Sequence, residues 1–235
     1  MTLEQLYGLW VALAPLTKLA VLSGVIQALG YVAYGWYVAR RKIEPNPTSW
    51  LMWAYGTALV AVLEYVQIKQ NPEASYALLV LPVVCASCSL ALALLCWARG
   101  KLSWPKHPMD IFALILDVIL TIGFVVAQVM YTYGVLTEAQ RDVVAVVSLI
   151  TVNLTSLTSF TPMVRELLEE PESERTSPWV FWALAYAVLS GLTWLEVGNW
   201  QSPLMMYPVL NTGIHTAVAL LVFFGRRRRA NRAAP

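Results

Sequence analysis

Asn211 and His215 stand four residues apart in the apolar run "YPVLNTGIHTAVALL" at 207–221. On a helix that spacing puts an amide and an imidazole on one face, about one turn apart. Such a pair can hydrogen-bond a solute, or it can satisfy itself and tie two helices together. Four tryptophans pose a similar choice. "TSWLMWA" at 48–54 is nearly rewritten as "TSPWVFWA" at 176–183, and Trp53 and Trp182 lie one turn deeper than Trp50 and Trp179. These rings can form an interfacial aromatic belt. Alternatively, Trp53 and Trp182 face a central axis, where they stack on a solute ring or close a gate.

Acidic and amide side chains add a second set. Glu64 and Gln67 lie 129 residues before Thr193 and Glu196, so each polar pair sits at i, i+3 near one end of its helix. Glu64 and Glu196 are read either as interfacial caps or as a gate whose carboxylates respond to protons. Asn153 opens an unusually polar stretch, "NLTSLTS", and shares a face with Ser156, whose counterpart under the same offset is Gln27. Asn153 and Gln27 are therefore candidates to line a solute path, with interhelical hydrogen bonding as the other reading. Asp117 is expected to pair with a neighbouring polar group. Cys85, Cys88 and Cys96 share one apolar helix without His or acidic ligands beside them, which points to neither a metal site nor a disulfide framework. No phosphate-binding glycine loop, HExxH or G-x-S-x-G is written, and the last apolar run has no lysine for a retinal Schiff base. Neither an enzyme nor a cofactor is expected.

Composition decides which elements must position these groups. The chain has 235 residues, 58% of them hydrophobic and only 13% charged, with a mean hydropathy of +0.60. That is more apolar surface than a soluble core of this size hides. Helical spans, each needing about 20 residues, are predicted near 17–39, 48–68, 76–97, 110–133, 143–164, 179–199 and 203–225. No period-two alternation favours a barrel. The first fifteen residues lack the basic start and cleavage site of a signal peptide, and they read as a surface helix or an early start of the first span. Alternating spans place Arg40, Arg41, Lys42, Arg99, Lys101, Lys106, Arg165, Arg175, Arg226 to Arg229 and Arg232 at one end, against Lys18, Lys69 and Arg141 at the other. The basic end is expected to be cytoplasmic, so the amino terminus lies outside, the carboxyl terminus inside, and the membrane is the plasma or inner membrane. The "RRRRANR" tail reads as an anchor on membrane lipids, and no nucleic-acid role is expected.

Internal similarity then organises the spans. With the 129-residue offset, Trp50 falls on Trp179 and Trp53 on Trp182, and the first span falls on the fifth. After a loop three residues shorter, "LPVVCASCSLALALL" falls on 207–221, pairing Pro82 with Pro208 and Cys85 with Asn211. The fourth span has no counterpart. Two three-helix units joined by one linker helix run parallel, related by a two-fold axis along the membrane normal. The division is 1–16 for an N-terminal segment, 17–97 for the first repeat, 98–142 for the linker, 143–225 for the second repeat and 226–235 for the basic tail.

This 3+1+3 plan, together with "FTPMVRELLEEPESERTSPWVFW", resembles the PQ-loop and SWEET superfamily of seven-helix membrane proteins. Pro162 takes the family's helix-ending proline position, Met163 stands where a PQ-loop protein has Gln, and Ala33 stands at the equivalent proline site of the first half. The resemblance implies a solute site near the midplane. Carriers of that type place an Asn on the seventh helix, where Asn211 stands, and often another on the third, where this chain has Cys85. The expected function is a transporter or facilitator for a small polar solute, bound by Asn211, His215, Trp53, Trp182, Asn153 and Gln27 and released by rocking of one repeat on the other. Pro82, Pro162 and Pro208 are candidate hinges. The alternative is a sensor or helper that binds a lipid or a partner protein, with the acidic loop "RELLEEPESER" either docking that partner or standing in solvent. Small helix-facing residues also allow a homodimer.

Overall fold

A computed structural model of the chain describes residues 14–43, 45, 47–98, 104 and 106–233. Most of the N-terminal segment, and Arg99 and Lys101, lie outside the described residues. The helices run α1 (Pro15–Ala39), α2 (Pro47–Gln70), a 3₁₀ turn (Tyr76–Leu79) leading into α3 (Val80–Ala98), α4 (Pro108–Thr132), α5 (Glu138–Thr158), α6 (Thr161–Glu169), α7 (Thr176–Val197) and α8 (Pro203–Ala233). Among the described residues there is no strand. Seven helical stretches are long and apolar enough to cross a membrane, with α5 and α6 together making the fifth. They coincide with the seven predicted spans to within a few residues at most ends.

Local chemistry sets those ends. Proline opens α1, α2, α4 and α8, where its missing N–H is one that no helix turn needs. Thr137 and Gln140 cap the start of α5 reciprocally, and the His107 ring accepts from the Met109 N–H at the start of α4. Gly198 ends α7 with φ of 64°, a conformation that costs a side-chain-bearing residue more. The fifth span breaks at Ser159 and Phe160, two residues before Pro162 can no longer supply a backbone donor. Pro82 sits in the first turn of α3, whereas Pro208 stands inside an unbroken α8.

The bundle is apolar outside and partly polar inside. On α1, Ser23, Gln27, Tyr31, Tyr34 and Val38 are buried while Leu22, Val25, Leu29 and Val32 are exposed. This is the inverse of a soluble amphipathic helix and suits a lipid surround. Helix α3 packs between α1 and α2, and α8 packs between α5 and α7; α1 also lies on α7 and α2 on α5. Helix α4 lies against α5. It is fixed there by a hydrogen bond from Thr155 Oγ1 to Asp117 Oδ1, by Tyr55 Oη meeting Thr121 Oγ1, and by an ion pair of 2.8 Å between Arg165 and Asp110. The basic residues gather at one end, where Arg226 donates to the Glu174 carbonyl at 2.9 Å and Arg175 lies over the Tyr37 ring.

Candidate functional site

The first two turns of α2 and of α7 each deliver two tryptophans, and the four indoles close into a ring. Trp50 and Trp53 have centroids 4.8 Å apart, Trp179 and Trp182 also 4.8 Å, Trp50 and Trp182 6.1 Å, and Trp53 and Trp179 6.0 Å, all edge to face. All four are buried, so the rings face inward. Tyr31 of α1 packs on Trp182 at 5.0 Å, and Phe160 packs on Trp53 at 4.8 Å. Close approach of α1 depends on Gly30, since a Cβ there would collide with the Trp182 indole edge.

Over this ring lies a cavity of about 20 Å³ lined by twelve residues. It has room for roughly one water. The twelve fall into six pairs separated by 129 or 126 residues in the sequence: Tyr31 with Phe160, Trp50 with Trp179, Trp53 with Trp182, Thr57 with Tyr186, Cys85 with Asn211, and Ser89 with His215. The two tryptophan pairs match in chemistry as well as position, while the other four pairs differ in residue type. The first half supplies hydroxyls and a thiol, while the second adds an amide and an imidazole.

The polar lining is connected. Ser89 Oγ meets Tyr31 Oη at 2.8 Å, Tyr31 Oη meets Cys85 Sγ at 3.2 Å, Cys85 Sγ meets Tyr186 Oη at 3.3 Å, and Tyr186 Oη meets Tyr207 Oη at 2.8 Å. Asn211 donates its amide to the Tyr207 carbonyl, and His215 Nδ1 lies 2.7 Å from the Asn211 carbonyl. That carbonyl can only accept, so Nδ1 carries a proton and neutral His215 keeps a free lone pair on Nε2. The imidazole is held among Phe160, Trp179, Trp182 and Tyr186. The indole N–H groups of Trp53 and Trp182 are buried without a partner. Unmatched buried donors of this kind are costly.

At the basic end the ring is closed by a residue that looks solvated in the sequence. Glu174, in the loop before α7, is 2% exposed. Tyr34 Oη donates to its Oε1 at 2.9 Å and Trp179 Nε1 to its Oε2 at 3.1 Å, while Trp50 Nε1 reaches Tyr34 Oη at 3.4 Å. Burial pushes the Glu174 carboxyl up to about 8, against a partial opposing pull from the two hydrogen bonds. One carboxyl thus joins α1 to α7.

The other candidates are placed apart from the cavity wall. Asn211, His215, Trp53 and Trp182 line it, whereas Gln27 and Asn153 do not. Gln27 is fully buried one turn from Tyr31 on α1 with both amide atoms unpartnered, and the Asn153 amide donates to the Leu149 carbonyl with its own oxygen unmatched. Glu64 is buried on α2. Glu196 accepts from the backbone N–H and hydroxyl of Ser75 at 2.8 and 2.6 Å, at the end opposite the basic one. Of the candidate hinges, Pro208 alone lies within an unbroken helix, and Pro162 marks the α5–α6 break. Tyr31, Phe160 and Tyr186 escape the sequence reading because single aromatics in apolar helices look like packing; the signal was their register with the tryptophans.

No protein-family model, curated protein or solved structure matches the chain.

Proposed function

We propose that the protein is a membrane transporter or facilitator for a small polar solute, held in the aromatic cavity between two parallel three-helix repeats. The observation that carries this reading is the composition of the wall, six pairs of equivalent residues around one cavity. A chance pocket in a bundle has no reason to draw its lining evenly from corresponding positions. The packing pattern adds support, because α1, α3 and α2 lie in the same order as α5, α8 and α7, with α4 outside both groups. Solute sites at a repeat interface are a recurring transporter design.

In this reading Asn211 and His215 hydrogen-bond the solute, and Trp53 and Trp182 supply ring faces. Gln27 and Asn153 lie along the path, and Glu64 and Glu196 lie toward the mouth opposite the basic end. The conformation is closed, since the cavity admits one water and Glu174 bridges α1 and α7 beneath the tryptophans. Admission of solute requires the halves to part, with Pro208 and the break before Pro162 as bending points. The basic end faces the cytoplasm in this proposal, and the plan is that of a PQ-loop or SWEET-like carrier.

The test is a thermal-shift screen of purified protein against sugars, amino acids, nucleosides, vitamins and lipids, followed by vesicle uptake of each hit. A ligand at about 100 times its dissociation constant adds roughly 2.7 kcal/mol of stability. The proposal expects a small polar solute to stabilise the wild type, to be taken up, and to lose its effect in Asn211→Ala. Stabilisation by lipids alone, or an undiminished response in the variant, rejects the solute site and favours a non-transporting sensor or helper.

A further inference from the structure

We infer that the groove between α6 and α8 at the basic end is a binding site for an anionic phospholipid. The groove is open and encloses about 820 Å³. Its walls are Leu167 and Leu168 from α6 and Leu220, Leu221 and Phe224 from α8, and its end carries Arg228 and Arg229. An apolar trough that finishes in two guanidinium groups matches an acyl chain that finishes in a phosphate.

Length places the arginines at the right depth. The seventh span has 27 residues from Pro203 to Arg229, about 40 Å of helix against roughly 30 Å of hydrocarbon. The fifth has 32 residues including α6, so α6 lies where the chain leaves the apolar layer. The groove wall is fixed rather than adjustable. Gly225 packs so closely on Pro171 that a Cβ would fall 2.9 Å from the proline ring, and Arg226 is held by the Glu174 carbonyl. Arg228 and Arg229 are exposed, with no ion-pair partner among the described residues. Glu169 also borders the groove, so two cations face one carboxylate and the local balance favours an anion. Under the 126-residue offset Arg228 and Arg229 fall on Leu102 and Ser103, so the sequence writes no such pair of arginines at the equivalent place in the first half. The site is therefore separate from the two-fold cavity, and it stands whether or not the transport reading does.

The experiment measures binding of phosphatidylglycerol and phosphatidylcholine to the purified full chain by native mass spectrometry, with melting temperature read in parallel. Glycerol 3-phosphate serves as the headgroup without chains. Phosphatidylglycerol is expected to bind more tightly and to raise the melting temperature more than phosphatidylcholine. Arg228→Gln with Arg229→Gln should weaken it on the order of tenfold or more. Ala217→Trp, which fills the groove without changing charge, should weaken it as well. Arg40→Gln with Arg41→Gln removes equal charge from the same end, away from the groove, and should leave binding near wild type. Equal binding of the two lipids, equal loss in the Arg40 and Arg41 variant, an unaffected Ala217→Trp protein, or full stabilisation by glycerol 3-phosphate alone would each overturn the assignment.

Discussion

Glu174 is the residue whose environment departs most from its sequence context. It lies in a run of acids that reads as a solvated loop, yet its carboxyl is enclosed by Tyr34 and Trp179. Its folded value of about 8 stands above the ordinary 4.5, so the folded state binds this proton more tightly than the unfolded chain does. Stability from this group is complete below about pH 4.5 and is lost as pH rises through 8. Melting temperature should accordingly fall between pH 5 and pH 9 in the wild type and fall less in Glu174→Gln. A profile identical in the two proteins would show that the carboxyl is not buried in the folded state. Gly30 makes a second prediction. Alanine there forces a methyl group into an indole that neighbours hold on several sides, and overpacking of this kind costs about 1–3 kcal/mol. A melting temperature lowered by roughly 3–10 °C is expected for Gly30→Ala, while Gly35→Ala, which meets open space, should change little.

At the scale of elements, the two ends of the bundle are secured differently. Opposite the basic end, the Glu196 carboxylate on α7 accepts two hydrogen bonds from Ser75, the residue that caps the turn leading into α3. Glu196→Ala should cost about 0.5–1.5 kcal/mol, the range for a lost hydrogen bond, measured as the denaturation midpoint in a fixed detergent. Helix α4 is secured by buried polar contacts instead. Removing one partner strands the other, at about 1–3 kcal/mol, so Thr155→Val should destabilise more than Thr151→Val, whose hydroxyl bonds only to its own helix. Equal effects would mean that Asp117 does not depend on Thr155. Pro208 has a kinetic role in the transport proposal. Pro208→Ala restores a helix hydrogen bond and should slow uptake while leaving solute binding within a few-fold.

For the whole molecule, the proposed two-fold relation between halves makes the sharpest prediction. If the cavity lies on that axis, Trp53→Ala and Trp182→Ala should impair solute binding by similar factors, on the order of tenfold or more for a lost ring contact of about 1.5 kcal/mol. Strongly unequal effects in two folded variants would indicate a site on one half only. The halves are not chemically identical, so Asn211→Ala and Cys85→Ala should differ, the first weakening binding and the second leaving it nearer wild type. A reporter fused after the basic tail should be active only on the cytoplasmic side, which checks the proposed orientation.

The sequence by itself determined the number and extent of the helices, because about 20 consecutive apolar residues cannot be hidden any other way and prolines mark where several begin. It also located the paired tryptophans, since W-x-x-W-A is written twice, 129 residues apart. Tertiary structure decided which side of each helix faces inward. Predominantly apolar helices with a thin polar stripe carry little periodic signal, as α1 illustrates with exposed Leu22 and Leu29 beside buried Ala20 and Gly30, so Tyr31, Phe160 and Tyr186 became wall residues only once the helices were packed. Glu174 shows the limit most clearly. Whether a loop carboxylate is solvated depends here on rings from the first two helices, far away in the chain, and that information exists only when Tyr34 and Trp50 have been brought beside Trp179 around it.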